Sequence, residues 1–193
     1  YKSIWAESLE REPSTLIVQS RNGGLYKADA DTGATIAVIK ETPEALWSGV
    51  HTGGGNMVFA GEGNALTRLT YTGVDPVSRT PRFDVERLPL DIGNGTYTKR
   101  IVRQPSTGRL ALARTDGTIW VGDEEHGERV VDLGSAVRDI AVKPGGDEAF
   151  AATENGQVVA LDLGSGEIRH RFQSAGAPFP LAPIQHALWV GRN

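Results

Sequence analysis

The chain has 193 residues, a formal net charge of −4 and a pI near 5.6, so it lacks the basic surface that nucleic-acid binding requires. It contains no cysteine, which excludes disulfides, thiol catalysis and cysteine-ligated metal centres within this sequence. The 24 glycines and 10 prolines favour many short strands over long helices, and no apolar run approaches the ~20 residues that cross a bilayer. We therefore expect an all-β globular protein that neither binds nucleic acid nor inserts directly into a membrane.

The first of four similar segments covers residues 3–41. Its strands are separated by turns rich in Gly, Asn, Asp and Thr, residues that accept the left-handed backbone conformations of tight turns. The predicted strands are Ile4–Leu9, Leu16–Val18, Leu25–Ala30 and Ala34–Ile39.

The second segment, residues 42–90, repeats the order of strand and turn but departs from it at the end. Its predicted strands are Ala45–Val50, Met57–Ala60 and Ala65–Tyr71. Residues 74–94 then contain three prolines and exceed an ordinary loop between strands, so we interpret them as an insertion.

The third and fourth segments, residues 91–134 and 135–174, each predict a four-stranded antiparallel unit. The strands of the third are Thr98–Arg103, Leu110–Arg114, Ile119–Val121 and Val130–Leu133. Those of the fourth are Val137–Val142, Ala149–Thr153, Val158–Leu163 and Glu167–Phe172. A partial unit, residues 175–193, contains one more apolar strand at Ala187–Val190.

A small-residue turn ends the third strand of each segment, at Gly33, Gly73, Gly127 and Gly166, so the spacings are 40, 54 and 39 residues. Two of them are close to the ~40–45 residues of a four-stranded propeller blade. The motifs TDGTIWVGDEEHG and ENGQVVALDLGSG resemble the β-propeller repeats of the WD-repeat and quinoprotein-like (PQQ-like, YVTN-like) superfamilies, and RNGGLYKADADTG matches them too. Ala28, Gly122 and Leu161 stand where the WD pattern has Trp.

The resemblance implies a single β-propeller segment of about four blades plus a partial fifth. A half blade does not close a ring, so we expect one of three completions: a longer natural chain, strands from a second chain, or a compact four-bladed form. The chain begins at Tyr1 rather than Met, which predicts a processed protein or a fragment. Its lack of cysteine suits a bacterial periplasmic or extracellular location.

Four sets of residues are candidate sites, and each also has a structural interpretation. His51 beside Gly53–Gly55 forms either an anion cradle or a plain turn. Repeated aspartates form either a carboxylate ring or hydrogen bonds that fix hairpin turns; these are Asp29, Asp123 and Asp162. Four tryptophans line a ligand site or, as we favour, pack between sheets: Trp5, Trp47, Trp120 and Trp189. The histidines lack metal-ligand spacing, and we expect most of them at the surface or in turns: His51, His126, His170 and His186.

The insertion is the candidate partner-binding segment, because binding residues concentrate in long loops on rigid scaffolds. It supplies basic side chains and one apolar anchor, namely Arg79, Arg82, Phe83 and Arg87. A lengthened outer hairpin is the equally open alternative. We expect no cofactor, no metal and no catalytic residue.

These patterns predict a non-enzymatic propeller scaffold that binds a protein partner or a second copy of itself. Alternatively, the chain is part of an extracytoplasmic propeller enzyme or electron-transfer protein. Its catalytic or cofactor domain would then lie outside this segment.

Overall fold

The computed structural model describes residues 3–9, 12–20, 24–41, 46–63, 65–78, 80–90, 96–174, 178–184 and 187–192. Within them the chain forms eighteen strands and no helix. The all-β prediction is therefore confirmed. The strands pair only with neighbours in sequence, and every pairing is antiparallel.

Four sheets contain four strands each, in sequence order, and a fifth contains two. Sheet 1 consists of β1 (Ser3–Leu9), β2 (Glu12–Ser20), β3 (Gly24–Asp29) and β4 (Thr35–Glu41). Sheet 2 consists of β5 (Leu46–Gly53), β6 (Asn56–Gly61), β7 (Ala65–Val74) and β8 (Pro81–Pro89). Sheet 3 consists of β9 (Thr98–Arg103), β10 (Leu110–Arg114), β11 (Thr118–Gly122) and β12 (Gly127–Asp132). Sheet 4 consists of β13 (Val137–Val142), β14 (Glu148–Thr153), β15 (Gln157–Asp162) and β16 (Ile168–Gln173), and sheet 5 of β17 (Pro178–Ile184) and β18 (Ala187–Arg192).

Short turns create these hairpins locally. Between β14 and β15, for example, the Gly156 amide donates to the Thr153 carbonyl at 3.2 Å, and Ala152 faces Val158 in the ladder. Each turn returns the chain beside the strand it has just left, so four successive strands form a meander. The predicted four-stranded antiparallel unit is thus confirmed in four sheets, none of which closes on itself in the described residues.

The segment interpreted as an insertion is instead a hairpin, and it supplies the fourth strand of sheet 2. Along β8 the side chains alternate between exposed residues and half-buried Phe83 and Val85, the period-two pattern of a strand with one covered face. Pro81 and Pro89 stand at the two ends of β8, where a missing amide donor is tolerated. The prolines therefore bound this strand and do not interrupt it.

Consecutive sheets pack against each other through their first strands. Strands β1 and β2 contact β5, β5 and β6 contact β9, β9 and β10 contact β13, and β13 and β14 contact β17. The strands of each sheet fall inside one of the five predicted segments, while the arrangement of the sheets about a common axis stays a prediction.

The hydrophobic core lies between the sheets. One cluster joins Ile17 and Leu25 of sheet 1 to Met57, Phe59 and Leu69 of sheet 2, together with Leu46. A second joins sheets 2 and 3 around Trp120, and a third joins sheets 3 and 4 through small and branched residues such as Ala111 and Val159. Both faces of the inner strands are buried, which explains why β10 is apolar up to Arg114, a residue that is itself buried.

Candidate functional site: the β7–β8 hairpin

The β7–β8 hairpin is the longest in the sheets, with ladder pairing that extends to Val74 opposite Pro81. Its tip is held by Asp75. The Asp75 carboxylate accepts hydrogen bonds from the backbone amides of Val77 at 2.9 Å and Ser78 at 2.8 Å, and the Asp75 amide donates to the Thr80 carbonyl at 2.8 Å. A turn with this many internal bonds is pre-organised, so a contact with a partner would order little additional backbone.

Arg82 lies at the base of the tip and forms a salt bridge with Asp75. Its side chain remains 57% exposed, with Nε at 3.0 Å from Asp75 Oδ2. The amides of Ser78 and Val77 and the Arg82 guanidinium together hold the pKa of Asp75 well below its usual range. Arg82 therefore displays a cation whose charge is partly balanced at the site.

The other predicted contact residues have different environments. Phe83 is half-buried, packs against the core between sheets 1 and 2, and meets the Tyr71 ring edge-on at 5.9 Å. Arg87 is exposed on β8, and Arg79 lies outside the described residues. The structure thus brings Arg82 and Arg87 to the surface of one strand, whereas Phe83 faces inward.

The apolar residue that the hairpin presents is Val77, which sequence reasoning missed. Its side chain is 91% exposed at the tip, between exposed Pro76 and Ser78, with exposed Val74 at the end of β7. The signal in the sequence is an apolar residue within a Pro- and Ser-containing turn. A residue at the tip of a hairpin turn cannot reach the core. An apolar side chain there stays in water unless a partner covers it.

Charged residues continue across the outer part of sheet 2. Arg68 on β7 lies between Glu86 at 2.5 Å and Glu124 of the β11–β12 turn at 3.3 Å. Hydrogen bonds to Glu86 and Glu124 raise the pKa of Arg68. This chain of charges ties sheet 2 to sheet 3 at the edge of the hairpin.

The repeated aspartates act in turns. Asp29 Oδ1 accepts from the Thr32 amide at 2.8 Å, Asp123 Oδ1 from His126 at 2.6 Å, and Asp162 Oδ1 from Ser165 at 2.8 Å. These bonds confirm the turn interpretation of the three residues. Asp75 holds the same place in sheet 2, and the sequence analysis missed it because β8 was not recognised.

His51 is not in a turn: it lies in strand β5, half-buried and paired with Met57 of β6, while Gly53–Gly55 reverse the chain between the two strands. Gly53, Gly54 and Gly55 all have positive φ, which only glycine adopts readily, so they serve the turn geometry. His126 and His170 are exposed, the latter beside Phe172, and His186 lies outside the described residues. Over the described part of the chain, no three His, Asp or Glu side chains are grouped as metal ligands.

The tryptophan side chains that can be described are packed. Trp120 is buried in the core between sheets 2 and 3. Trp47 is half-buried, and the Lys99 ammonium of sheet 3 lies 4.3 Å from the centre of a Trp47 ring. Trp5 and Trp189 belong to β1 and β18, but their side chains lie outside the described residues. Packing between sheets is thus confirmed for Trp120.

Comparison with known proteins gives little further information. No family model matches the chain. A segment of 46 residues is 54% identical to a phenyloxazoline synthase, MbtB, from Mycobacterium sp. (strain MCS); the match covers 22% of this chain and 3% of that protein. The chain thus spans only a small part of the length of the curated relative that it matches. In the described ranges, no helix is long and apolar enough to cross a membrane.

Proposed function

We propose that this chain is a β-propeller segment that serves as a non-enzymatic protein-interaction scaffold. The observation that carries the proposal is the stacking of successive four-stranded meanders through their first strands. A twisted four-stranded sheet cannot bury both faces alone, and radial stacking of such sheets is how propellers solve that problem. The resemblance of the turn motifs to WD-repeat and quinoprotein-like blades supports the same arrangement.

The change from buried inner strands to exposed fourth strands supports the role of a scaffold. Within a sheet, residues of the inner strands are buried, whereas the fourth strand β16 is exposed along most of its length. The fourth strands thus present a long exposed perimeter of polar residues and single apolar ones such as Val130 and Phe172, where contact residues can be added at little cost to the core. Loops and hairpins on such a rigid frame are common positions for binding residues.

The β7–β8 hairpin is the contact element of this proposal. Val77 offers an exposed apolar tip, and Arg82 offers a cation directly beneath it. Arginine is enriched at protein interfaces, and an exposed apolar side chain beside it gains free energy when a partner removes it from water. The proposed partner is therefore a protein surface with an apolar depression next to an acidic residue.

The test compares a Val77→Glu, Arg82→Glu double variant with wild type and with Val130→Glu, a control on exposed residue Val130 of β12. Each is immobilised and exposed to extract of the source cells, and retained proteins are identified and then re-tested in purified form by calorimetry. We expect a partner that binds wild type and the control but binds the double variant at least ~10-fold more weakly. Equal binding to all three proteins contradicts the hairpin as the contact element.

A further inference from the structure

The first strands of sheets 2, 3 and 4 each contain a β-bulge at the same place in the ladder. The inserted residues are Trp47 in β5, Lys99 in β9 and Arg138 in β13. A bulge bends its strand and changes the direction of the side chains beside it. The three bulges therefore place three pairs of side chains at corresponding points of the fold, namely residues 47–48, 99–100 and 138–139.

At the junction of sheets 3 and 4, the residues that follow the bulges have opposite charges. Arg100 pairs across the ladder with Ala113, which packs in the core between these two sheets. Arg100 Nε lies 3.8 Å from Asp139 Oδ1, and the Asp139 side chain is 7% exposed. A hydrogen-bond donor of sheet 3 thus faces a buried carboxylate of sheet 4.

The junction of sheets 2 and 3 has donors at the corresponding points but no such carboxylate. Ser48 pairs with Ala60, which packs in the core between sheets 2 and 3, so the Ser48 side chain faces sheet 3. Ser48 is 1% exposed, and neither its hydroxyl oxygen nor Trp47 Nε1 has a hydrogen-bond partner in the described part of the chain. Sheet 3 carries Arg100 where sheet 4 carries Asp139.

Lys99 adds a cation to the same place. Its ammonium lies 4.3 Å from the centre of a Trp47 ring, and within the described residues it forms no ion pair. We call Trp47, Ser48 and Lys99 the bulge donors. A buried donor without an acceptor costs free energy, and hydrogen bonds to a charged acceptor are stronger than those to a neutral one. The group that matches the bulge donors therefore brings acceptor oxygens and a negative charge.

We propose that the bulge donors bind the carboxylate group of a small organic acid. A carboxylate is the group that the fold itself places at the corresponding point of the next junction, where Asp139 faces Arg100. Lys99 provides the entry, because it is half-buried and its flexible four-carbon stem can rotate away from the two buried donors. The inference goes beyond the proposed function and uses none of the residues at the hairpin tip, so either can fail without the other.

The indole N–H of Trp47 reports directly on this site by heteronuclear NMR. Its signal is identified by its loss in Trp47→Phe, and the protein is titrated with sodium acetate against sodium chloride of equal ionic strength. We expect acetate to shift the Trp47 signal along a saturable curve, whereas the signal of Trp120, which is buried in the apolar core, should move little. A Trp47 signal that responds to acetate no more than to chloride overturns the proposal.

Three variants test which groups hold the anion. Ser48→Ala and Lys99→Gln should each raise the dissociation constant for acetate at least ~5-fold. Arg138→Gln is the matched control, because it removes one cation from the corresponding bulge of sheet 4, where Arg138 is paired with Glu154. The control should bind acetate like wild type. Equal weakening in Lys99→Gln and Arg138→Gln would reflect net charge alone and would also overturn the proposal.

Thermal unfolding gives an independent readout of Ser48. Acetate should raise the melting temperature of wild type but not that of Ser48→Ala, because a ligand stabilises the folded state that binds it. Without acetate, Ser48→Ala should be as stable as wild type, since the removed hydroxyl forms no hydrogen bond. A loss of stability in acetate-free buffer would show that the hydroxyl already has a partner within the fold, which contradicts the proposed site.

Discussion

In each four-stranded sheet, one aspartate closes the turn between the third and fourth strands. Its carboxylate accepts hydrogen bonds from turn amides that have no backbone acceptor. The residues are Asp29, Asp75, Asp123 and Asp162. Hydrogen bonds from turn residues lower the pKa of all four; for Asp29 they come from Thr32, and for Asp123 from Glu125 and His126. Because the charged form is preferred in the folded state, these turns link stability to pH.

We predict that the free energy of unfolding falls as the pH drops below about 4, the ordinary range of a carboxyl group. Each lowered pKa means that the unfolded chain binds more protons there, so its stabilising effect is complete above the unfolded value and is lost as the pH falls through the folded value. Urea unfolding between pH 7 and pH 2.5 measures the slope of the free energy of unfolding against pH. Asp123→Asn with Asp162→Asn keeps an oxygen acceptor in both turns but removes the titration, so the slope should be shallower. Identical slopes in the variant and wild type would refute the linkage.

At the scale of elements, the β10–β11 turn also locks sheet 3 to the start of sheet 4. The Gly117 carbonyl accepts from the Leu133 amide at 2.9 Å, and Gly117 has φ +94°. A Cβ at this position would lie 3.1 Å from the Ser135 backbone nitrogen. Glycine is therefore required here by backbone conformation and by a close approach together.

Gly117→Ala should destabilise the protein more than Gly145→Ala does. Gly145 also has positive φ, at +73°, but a Cβ there would meet no atom within 4 Å. The control should cost about 1 kcal/mol for the backbone conformation alone, and Gly117→Ala about 2–3 kcal/mol because the Ser135 backbone must also move. Chemical denaturation gives both values, and equal costs would rule out the close approach as a constraint.

The β7–β8 hairpin combines a core residue and a surface residue in adjacent positions. Phe83→Ala should destabilise the protein by about 2 kcal/mol, since a half-buried ring leaves the cluster between sheets 1 and 2. Arg82→Ala should change stability by no more than about 0.5 kcal/mol, because an exposed ion pair contributes little. Thermal or urea unfolding separates the two effects. If Phe83→Ala left the stability unchanged, Phe83 would again be a candidate contact residue.

At the scale of the whole molecule, neighbouring sheets are connected by polar side chains in addition to the apolar clusters. Lys27 of sheet 1 donates to the Pro81 carbonyl of sheet 2. Between sheets 3 and 4, Gln104 donates to Asp147 at 2.6 Å, and Arg129 donates to the Leu163 carbonyl at 3.1 Å. These contacts add directional hydrogen bonds to the stabilisation that the apolar clusters supply.

Hydrogen exchange should therefore vary across each sheet. We expect the slowest amide exchange in central strands such as β10 and β15, whose residues are mostly buried and whose backbone is paired on both sides. Fourth strands such as β16 should exchange at least ~10-fold faster, because they are exposed and paired on one side. Exchange followed by mass spectrometry measures this gradient, and uniform rates across each sheet would contradict the burial pattern.

The sequence by itself determined most of the strands, their turns and the four-stranded meander. These features are local: a Gly- or Asn-containing turn and a period-two pattern act over fewer than about 10 residues, so they can be read without knowledge of distant contacts. Three of the four turn aspartates were identified for the same reason. The missed strands β8 and β17 show the limit, since their prolines resemble the prolines of a loop, yet both segments form paired strands.

Only the tertiary structure decided which side chains are available. Phe83 looked like a contact residue in sequence, but it packs beside residues such as Phe59 and Ile17, which approach it only when sheets 1 and 2 stack. Val77 is exposed because its turn extends beyond that stack. Burial depends on contacts between residues far apart in the chain, and the local pattern of a strand does not show which of its faces a neighbour will cover.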